Sequence, residues 1–144
     1  MTHKIEYQLK DGFTEMDFDK VTRMLETAFW CIGIKKDEII RGAQYSALVV
    51  GAFTRDHEQI GYARVISDKA RFAYILDVTV NETYRKQVIG QAMMHHILEH
   101  PDLNDVYQWL LITKDAHGVY KKVGFNPVSR PNDWMEIRHS RPSR

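Results

Sequence analysis

The chain has 144 residues, a formal net charge of +1, and 44% hydrophobic and 27% charged residues, values typical of one soluble globular domain with a single core. The near-neutral charge argues against a protein that binds nucleic acid through a basic face, and no apolar run reaches the roughly 20 residues that a membrane span needs. The single cysteine, Cys31, excludes an internal disulfide framework, and because the sequence starts without an apolar leader we expect a cytoplasmic protein.

The first half of the chain begins with a strand and two helices. Residues 4–9 alternate between apolar and polar side chains, which predicts a strand with one solvated face. Apolar residues at helical spacing then predict a first helix over residues 17–30, capped by Thr14 or Asp17. A short second helix is predicted over residues 35–41.

Three consecutive β-rich runs follow, joined by short polar turns. They cover residues 47–53, 60–66 and 72–80. Strands joined in this way predict an antiparallel meander. The third run is β-branched and aromatic with almost no charge, which predicts burial on both of its faces.

The second half continues with a helix over residues 88–99, whose apolar residues recur at i, i+3 and i+4. A strand over residues 106–112 follows, and a strand–helix–strand unit of this kind is expected to be parallel and right-handed. A short helix over residues 116–122 and two last strands, over residues 125–128 and 134–138, complete the chain.

The element order that results is β-α-α-β-β-β-α-β-α-β-β. It describes one α+β domain over residues 1–144, with a mixed, mostly antiparallel sheet that is flanked by helices. No internal repeat or low-complexity segment interrupts the sequence.

The junction between the strand 72–80 and the next helix is a candidate anion site. Backbone N–H groups at a helix start lack partners within the helix, and the helix dipole adds partial positive charge there. Arg85 and Lys86 add whole positive charges to the same turn. The junction therefore predicts a site for a phosphate or pyrophosphate group.

The same residues resemble the acyl-CoA-binding signature of the GNAT acetyltransferases. The matching pattern is V-x-V at 78–80, N-E-x-Y-R at 81–85 and glycine at Gly90. The resemblance implies acetyl-CoA or a short acyl-CoA as the cofactor, with its pantetheine arm along the strand backbone and its pyrophosphate in the turn. The residues implied to bind it here are Val78, Thr79, Val80, Arg85, Lys86, Gln87, Val88, Ile89, Gly90 and Gln91.

Val88 stands where the family pattern has its first glycine. A glycine there lets phosphate oxygens approach the backbone without meeting a Cβ atom. We expect the branched side chain of Val88 either to crowd the pyrophosphate or to bend the turn. The alternative to an active enzyme is therefore a degenerate acyl-CoA-binding or sensing domain with little or no turnover.

A second segment, residues 116–125, resembles the family's A-x-x-[FLV]-Y-x-K-x-G-F pattern. The resemblance implies that Tyr120 is the general acid, whose hydroxyl protonates the departing CoA thiolate. It also implies acyl-CoA contacts for Ala116 and for Thr113, which stands where the family often has asparagine. Considered alone, Tyr120 is equally consistent with an aromatic side chain that packs a helix on the sheet.

Asp77 is the one carboxylate inside the strand 72–80. An unpaired charge in a buried strand is costly, so this carboxylate needs a partner. Many family members have an acidic residue here, and the resemblance implies a base that accepts the amine's proton directly or through water. A structural hydrogen bond to a neighbouring loop or helix end is an alternative of equal weight.

The resemblance as a whole implies an N-acetyltransferase in which a primary amine attacks acetyl-CoA directly, within a ternary complex. Trp30 and Tyr45 fall where the family's acceptor loops lie, and together with Asp77 they are the residues predicted to bind the acceptor. We expect a small-molecule amine, because no segment adds a peptide groove, a nucleic-acid surface or a membrane element. A homodimer is a further expectation from family analogy.

His96 and His100 stand four residues apart on the long predicted helix, a spacing that metal sites use. The sequence has no glutamate in the H-E-x-x-H position and no evident third ligand. We therefore predict that these histidines are solvated or complement the helix dipole, and we predict no metal.

Overall fold

The computed structural model describes residues 5–141, except for the side chains of Lys86 and Gln87. The strands are β1 (Tyr7–Asp11), β2 (Leu48–Thr54), β3 (Gln59–Ser67), β4 (Phe72–Val80) and β5 (Gln108–Leu110). The α-helices are α1 (Phe18–Glu26), α2 (Lys36–Gln44), α3 (Ile89–Leu98) and α4 (His117–Lys121). Within this part of the chain, no helix is both long enough and apolar enough to cross a membrane.

The five strands form one sheet in the order β1-β2-β3-β4-β5. Strands β1 to β4 are antiparallel to their neighbours, as the predicted meander requires, and β5 pairs with β4 in parallel. The mixed sheet and the helices that flank it confirm the α+β class. The predicted element order is confirmed as far as α4.

Two buried clusters lie on the two faces of the sheet, because successive residues of a strand point to opposite faces. One cluster packs α3 on the sheet and includes Met93 and Ile75. The other packs α1 and α2 on the sheet and includes Leu25, Ile39 and Tyr62. The helices therefore cover both faces, and β4 is in contact with elements on each side.

The first helix is capped as expected but ends earlier than predicted. The Asp17 carboxylate accepts hydrogen bonds from the backbone N–H groups of Asp19 at 3.1 Å and Lys20 at 3.3 Å, which confirms Asp17 as the cap. The helix ends at Glu26, because the residues that follow form tight turns closed by i→i−3 backbone bonds. Trp30 consequently lies in a loop, where it is 40% exposed.

The two last predicted strands, over residues 125–128 and 134–138, are wrong. No residue that the structure describes after β5 belongs to a strand. A strand needs a neighbouring backbone to pair with, and β5 itself covers only three residues of the predicted 106–112. Residues 126–141 are exposed along their whole length instead.

The end of this exposed segment lies against the loop that follows α1. The guanidinium of Arg141 donates hydrogen bonds to the carbonyl oxygens of Trp30 at 2.5 Å and Ile32 at 3.5 Å. The segment between carries apolar side chains in solvent, with Met135 95% exposed and Ile137 86% exposed. The C-terminal segment therefore runs over the surface and adds nothing to the sheet.

Candidate active site

A bulge in β4 sets the position of Asp77. The pairing of β3 with β4 shifts between the pairs Arg64–Leu76 and Tyr62–Thr79, so that two residues of β4 face one residue of β3. Asp77 lies at this bulge with φ 56°, in the left-handed region that aspartate tolerates better than most residues. The bulge thereby fixes where the Asp77 carboxylate leaves the strand.

The edge of β4 that faces β5 is open over most of its length. Strand β5 pairs only with residues 72–74, and beyond them no strand in the described part of the chain pairs with that edge at residues 75–80. Backbone N–H and C=O groups on an open edge can pair with another extended chain. The residues predicted to bind pantetheine, 78–80, lie on this edge.

The turn after β4 is held by its own side chains. Residues 82–87 form a 3-10 turn, at whose start the Asn81 side chain accepts a hydrogen bond from the N–H of Thr83 at 3.0 Å. Arg85 donates through Nε to the carbonyl oxygen of Val80 at 3.2 Å. Because Arg85 is exposed, its charge remains at the surface of the predicted anion site.

The first turn of α3 has free backbone donors and room beside them. Its first intrahelical bond runs from the N–H of Ala92 to the carbonyl of Val88, so the N–H groups of Ile89, Gly90 and Gln91 have no partner within the helix. A Cβ atom built on Gly90 would meet no atom within 4 Å. The chain therefore fits a phosphate-bearing ligand at this turn.

Val88 joins the turn to α3 in a left-handed conformation, with φ 53° and ψ 23°. The sequence predicts Val88 as the first residue of this helix. In the structure Val88 is the N-cap, and the helix begins at Ile89. A β-branched residue is a rare occupant of this region, which glycine adopts readily. The family's glycine at this position therefore meets a requirement of the backbone as well as leaving room for phosphate. The side chains of Lys86 and Gln87, also predicted to bind the cofactor, lie outside the described residues.

Helix α4 is built around Tyr120. The hydroxyl of Thr113 accepts a hydrogen bond from the N–H of Ala116 at 3.0 Å, and this turn starts the helix. Tyr120 is half-buried and packs against the same core cluster as Val78 and Val80 of the open β4 edge. Burial raises the pKa of Tyr120, so that its hydroxyl stays protonated and able to donate.

Asp77 is held by Arg64, which the sequence reasoning missed. Arg64 Nε lies 2.6 Å from Asp77 Oδ2, and the two side chains are 18% and 13% exposed. Arg64 Nη1 lies 3.4 Å from the carbonyl oxygen of Gly42 and 3.4 Å from the hydroxyl of Ser46. A signal for this pair was present, because Arg64 is the one charged residue in its predicted strand and such a charge needs a partner.

The sequence leaves two roles open for Asp77, a base for the amine's proton and a structural contact, and the ion pair bears on both. Arg64 supplies the partner that a buried carboxylate needs, and it comes from the neighbouring strand, not from a loop or helix end. On the loop side, Cys31 Sγ lies 3.8 Å from Asp77 Oδ1. The role of Asp77 as a base stays a prediction.

Tyr62 is a second polar group next to the ion pair. It is completely buried, and its hydroxyl has no hydrogen-bond partner among the described residues. Burial raises the pKa of Tyr62; Arg64 works against this rise and Asp77 adds to it. The hydroxyl is therefore an uncharged, unsatisfied group within the electrostatic influence of the Arg64–Asp77 pair.

A cavity of about 380 Å³ lies between α2 and the Arg64–Asp77 pair. Its lining residues are Ile34, Glu38, Ile39, Arg41, Gly42, Tyr45, Arg64 and Asp77. Tyr45 and Asp77, both predicted to bind the acceptor, thus meet in one cavity. A cavity of this size suits a small molecule.

Trp30 does not line this cavity but lies in the loop after α1. Its ring stands edge-on to the ring of Phe29, with 5.0 Å between the centroids. Lys114 Nζ lies 5.5 Å from the centroid of the Phe29 ring. Because Lys114 follows Thr113 in the chain, this contact joins the loop after α1 to the segment that leads to Tyr120.

His96 of α3 and His100, which lies two residues after the end of α3, are both close to one carboxylate. His96 Nε2 lies 2.7 Å and His100 Nε2 lies 3.4 Å from Asp11 Oδ2, at the end of β1. His100 Nδ1 accepts a hydrogen bond from the backbone N–H of Asp102 at 3.1 Å. The His96 contact ties α3 to β1, and the two ring nitrogens of His100 face the Asp11 carboxylate and the backbone N–H of Asp102.

The family model of the GNAT acetyltransferase domain matches residues 46–127, more than half of the chain. The chain belongs to the GNAT acetyltransferase family. The matched range contains β4 with its open edge, the turn over residues 82–88 that carries the predicted anion site (the anion turn), and Tyr120. The family resemblance drawn from the sequence is confirmed. Membership of the GNAT family implies an acyltransferase in general terms, and the family generally uses acetyl-CoA. A comparison with curated proteins found no match.

Solved structures confirm the GNAT fold. A protein of Xanthomonas campestris pv. campestris assigned to the GNAT family is 32% identical with a TM-score of 0.85, covering 93% of this chain and 94% of that one. A Staphylococcus aureus protein of unknown function is 24% identical with a TM-score of 0.71, covering 92% and 100%. A Clostridium acetobutylicum protein predicted to be an acetyltransferase, and solved with acetyl-CoA, is 18% identical with a TM-score of 0.68, covering 92% and 96%.

Proposed function

We propose that this GNAT family member transfers an acetyl group from acetyl-CoA to a primary amine of a small molecule, by direct attack within a ternary complex. The observation that carries the proposal is the open edge of β4 at residues 75–80. This edge runs from the Asp77 bulge to the anion turn, and its side chains share a core cluster with Tyr120.

The cofactor would be held mainly by backbone groups. The open edge at residues 78–80 would pair with the pantetheine amides, and the free N–H groups of Ile89 and Gly90 would receive the pyrophosphate. Arg85 adds positive charge at the same turn. Acetyl-CoA bound in this way supplies the thioester from which the acetyl group is transferred.

Tyr120 is the proton donor in this proposal. Its raised pKa keeps the proton on Oη at neutral pH. The Tyr120 hydroxyl makes no hydrogen bond with any residue in the described range 5–141, so no neighbour competes for its proton. A positioned O–H donor of this kind lowers the cost of releasing a thiolate.

Asp77 is the proton acceptor for the amine, either directly or through water. The amine must lose a proton before it attacks, and the Asp77 carboxylate lies in the lining of the small-molecule cavity. Its ion pair with Arg64 fixes the position of that carboxylate. Holding the amine in this cavity beside the open β4 edge would supply acceleration through proximity.

Val88 supports one second candidate, an acyl-CoA-binding domain with little or no turnover. The residue carries a branched side chain at the one position of this turn where the backbone is left-handed, and the residue as a whole is 62% exposed. A turn that binds CoA in an altered pose would retain affinity and lose the alignment that transfer requires.

The proposal is tested by calorimetric titration with acetyl-CoA, CoA and dephospho-CoA, followed by a thiol-release assay over a panel of primary amines. Binding of acetyl-CoA with amine-dependent thiol release supports the enzyme. Binding without release to any amine supports the second candidate. Absence of binding at millimolar acetyl-CoA would overturn both.

A further inference from the structure

The cavity beside Asp77 has a balanced set of charges. Its lining includes two carboxylates, Glu38 and Asp77, and two guanidinium groups, Arg41 and Arg64. A cavity that served a simple alkylamine would need acidic groups alone, because its ligand arrives as a cation. Arg64 is the ion-pair partner of Asp77, so Arg41 and the part of Arg64 that does not contact Asp77 require a separate explanation.

Arg41 is the first of the two guanidinium groups. It lies on the α2 wall of the cavity, one residue before Gly42, and is exposed. Within residues 5–141 it forms no ion pair and no hydrogen bond through its side chain. An arginine fork that is free and borders a cavity matches the planar geometry of a carboxylate.

Arg64 is the second group, and its orientation is fixed. Its Nε is engaged with Asp77, and its Nη1 is engaged with Gly42 and Ser46. A Cβ atom on Gly42 would lie 3.3 Å from Arg64 Cζ, so the guanidinium packs closely on the backbone of α2. Among the described residues, no group accepts a hydrogen bond from Nη2, and Arg64 lines the cavity.

We propose that the acceptor is a zwitterion, an amine that also carries a carboxylate, as an amino acid does. Arg41 and Arg64 Nη2 bind the carboxylate, and Asp77 is the carboxylate of the lining that receives the amine. Ile34, Ile39 and Tyr45 supply apolar lining for a short side chain. The assignment of the amine as the reacting group rests on the proposed acetyl transfer, whereas the binding of a carboxylate does not.

The test compares amino acids with the amines formed by loss of their carboxylate. Suitable pairs are leucine with 3-methylbutylamine, phenylalanine with 2-phenylethylamine, and lysine with cadaverine. Since a hydrogen bond to a charged group contributes about tenfold or more in affinity, we expect kcat/KM to be at least about tenfold higher for the amino acid in the best pair. Equal or better turnover of the decarboxylated amine in every pair would overturn the proposal.

Arg41→Gln is the variant that isolates the carboxylate contact. It is expected to lower the kcat/KM ratio of the best pair to below about threefold, because an amide cannot replace a charge-assisted pair. Arg23→Gln is the matched control, since Arg23 is an exposed arginine in the last turn of α1 and does not line the cavity. A loss of the same factor for both members of the pair in Arg41→Gln would contradict the assignment.

A binding measurement separates this inference from the proposed function. With CoA present, calorimetry is run with leucine and with 3-methylbutylamine on the wild-type protein and on Arg41→Gln. Tighter binding of leucine that is lost in Arg41→Gln supports the zwitterion site even if no amine is acetylated. If neither compound binds, or if both bind equally, the inference fails whatever the result of the transfer assay.

Discussion

Arg64 of β3 and Asp77 of β4 form an ion pair, with 2.6 Å between Nε and Oδ2, at the point where the two strands lose register. The bulge gives Asp77 its left-handed backbone and directs its carboxylate toward α2. The same pair therefore closes the floor of the cavity and satisfies two charges that the fold has largely buried. Substitutions can separate the structural role of this pair from the proposed role of Asp77 as a base.

Asp77→Asn leaves the Arg64 guanidinium without its counter-charge, and Arg64→Gln leaves the Asp77 carboxylate without its counter-charge. Each change is expected to lower the free energy of unfolding by about 3 kcal/mol, the lower end of the range for breaking a buried pair. If Asp77 also accepts the amine's proton, Asp77→Asn lowers kcat much further than Arg64→Gln does. Urea unfolding and kcat, measured where both variants are folded, give the two quantities. Equal losses of kcat would leave Asp77 with a structural role alone.

Tyr120→Phe is expected to lower kcat by about 100-fold, a typical contribution of a general acid, with little change in the Kd of acetyl-CoA. Because burial raises the pKa of Tyr120, its proton is retained up to and beyond the ordinary value of about 10. The wild-type rate should therefore show no alkaline loss from this group below that pH. Tyr107→Phe, at a tyrosine that is 69% exposed and bonded to Arg71, is the control. An unchanged kcat in Tyr120→Phe would remove the general acid from the mechanism.

The strand, turn and helix that frame the candidate site could be predicted because their signals are local. The end of β4, the polar turn and the start of α3 follow one another within a few residues, so composition and periodicity locate these elements before any tertiary contact is known. The Arg64–Asp77 pair depends instead on the register of two strands and on a bulge, which no periodicity reports. The sequence alone predicts that each of these two charges needs a partner, but it does not predict which residue the partner is.

The prediction of the last two strands was wrong for a similar reason, because it also depends on a contact with another element. The apolar residues at 134–138 form a strand only if another backbone pairs with them, and β5 ends after Leu110 without offering one. Strand propensity is mainly a preference for packing on a neighbouring strand, so it cannot decide whether that neighbour exists. The left-handed backbone of Val88 was missed because it is a property of the junction between two elements and belongs to neither pattern.

Tyr62→Phe is expected to raise the free energy of unfolding by about 1 kcal/mol, because a buried hydroxyl without a partner costs about 1–3 kcal/mol. The folded pKa of Tyr62 lies above its unfolded value of about 10. The stability that this difference contributes is fully present below pH 10 and is lost as pH rises toward the folded pKa. Wild-type protein should therefore lose more stability than Tyr62→Phe between about pH 9 and 11, as thermal unfolding at each pH can measure. A clear destabilisation at pH 7 would mean that the hydroxyl has a partner, such as a buried water.

Val88→Gly is expected to stabilise the protein and to change its affinity for acetyl-CoA. A left-handed conformation costs an L-residue about 1–2 kcal/mol, and the greater flexibility of glycine in the unfolded chain offsets about 0.5–1 kcal/mol of the gain. The net rise in the free energy of unfolding therefore lies between about 0 and 1.5 kcal/mol and is measured by urea unfolding. Val88→Ala keeps a Cβ atom and the backbone cost, so it should give no comparable rise.

The two variants also decide which consequence of Val88 is correct. If the Cβ atom crowds the pyrophosphate, Val88→Gly tightens acetyl-CoA binding in calorimetry and Val88→Ala does not. If only the branched methyl groups interfere, both variants tighten binding, because the residue is 62% exposed at the turn and its methyl groups are the atoms that alanine removes. Equal or weaker binding in both would mean that the turn has adapted to valine. In that case crowding of the pyrophosphate is no longer a reason to expect a domain without turnover, and only an altered pose of the bound CoA still supports that candidate.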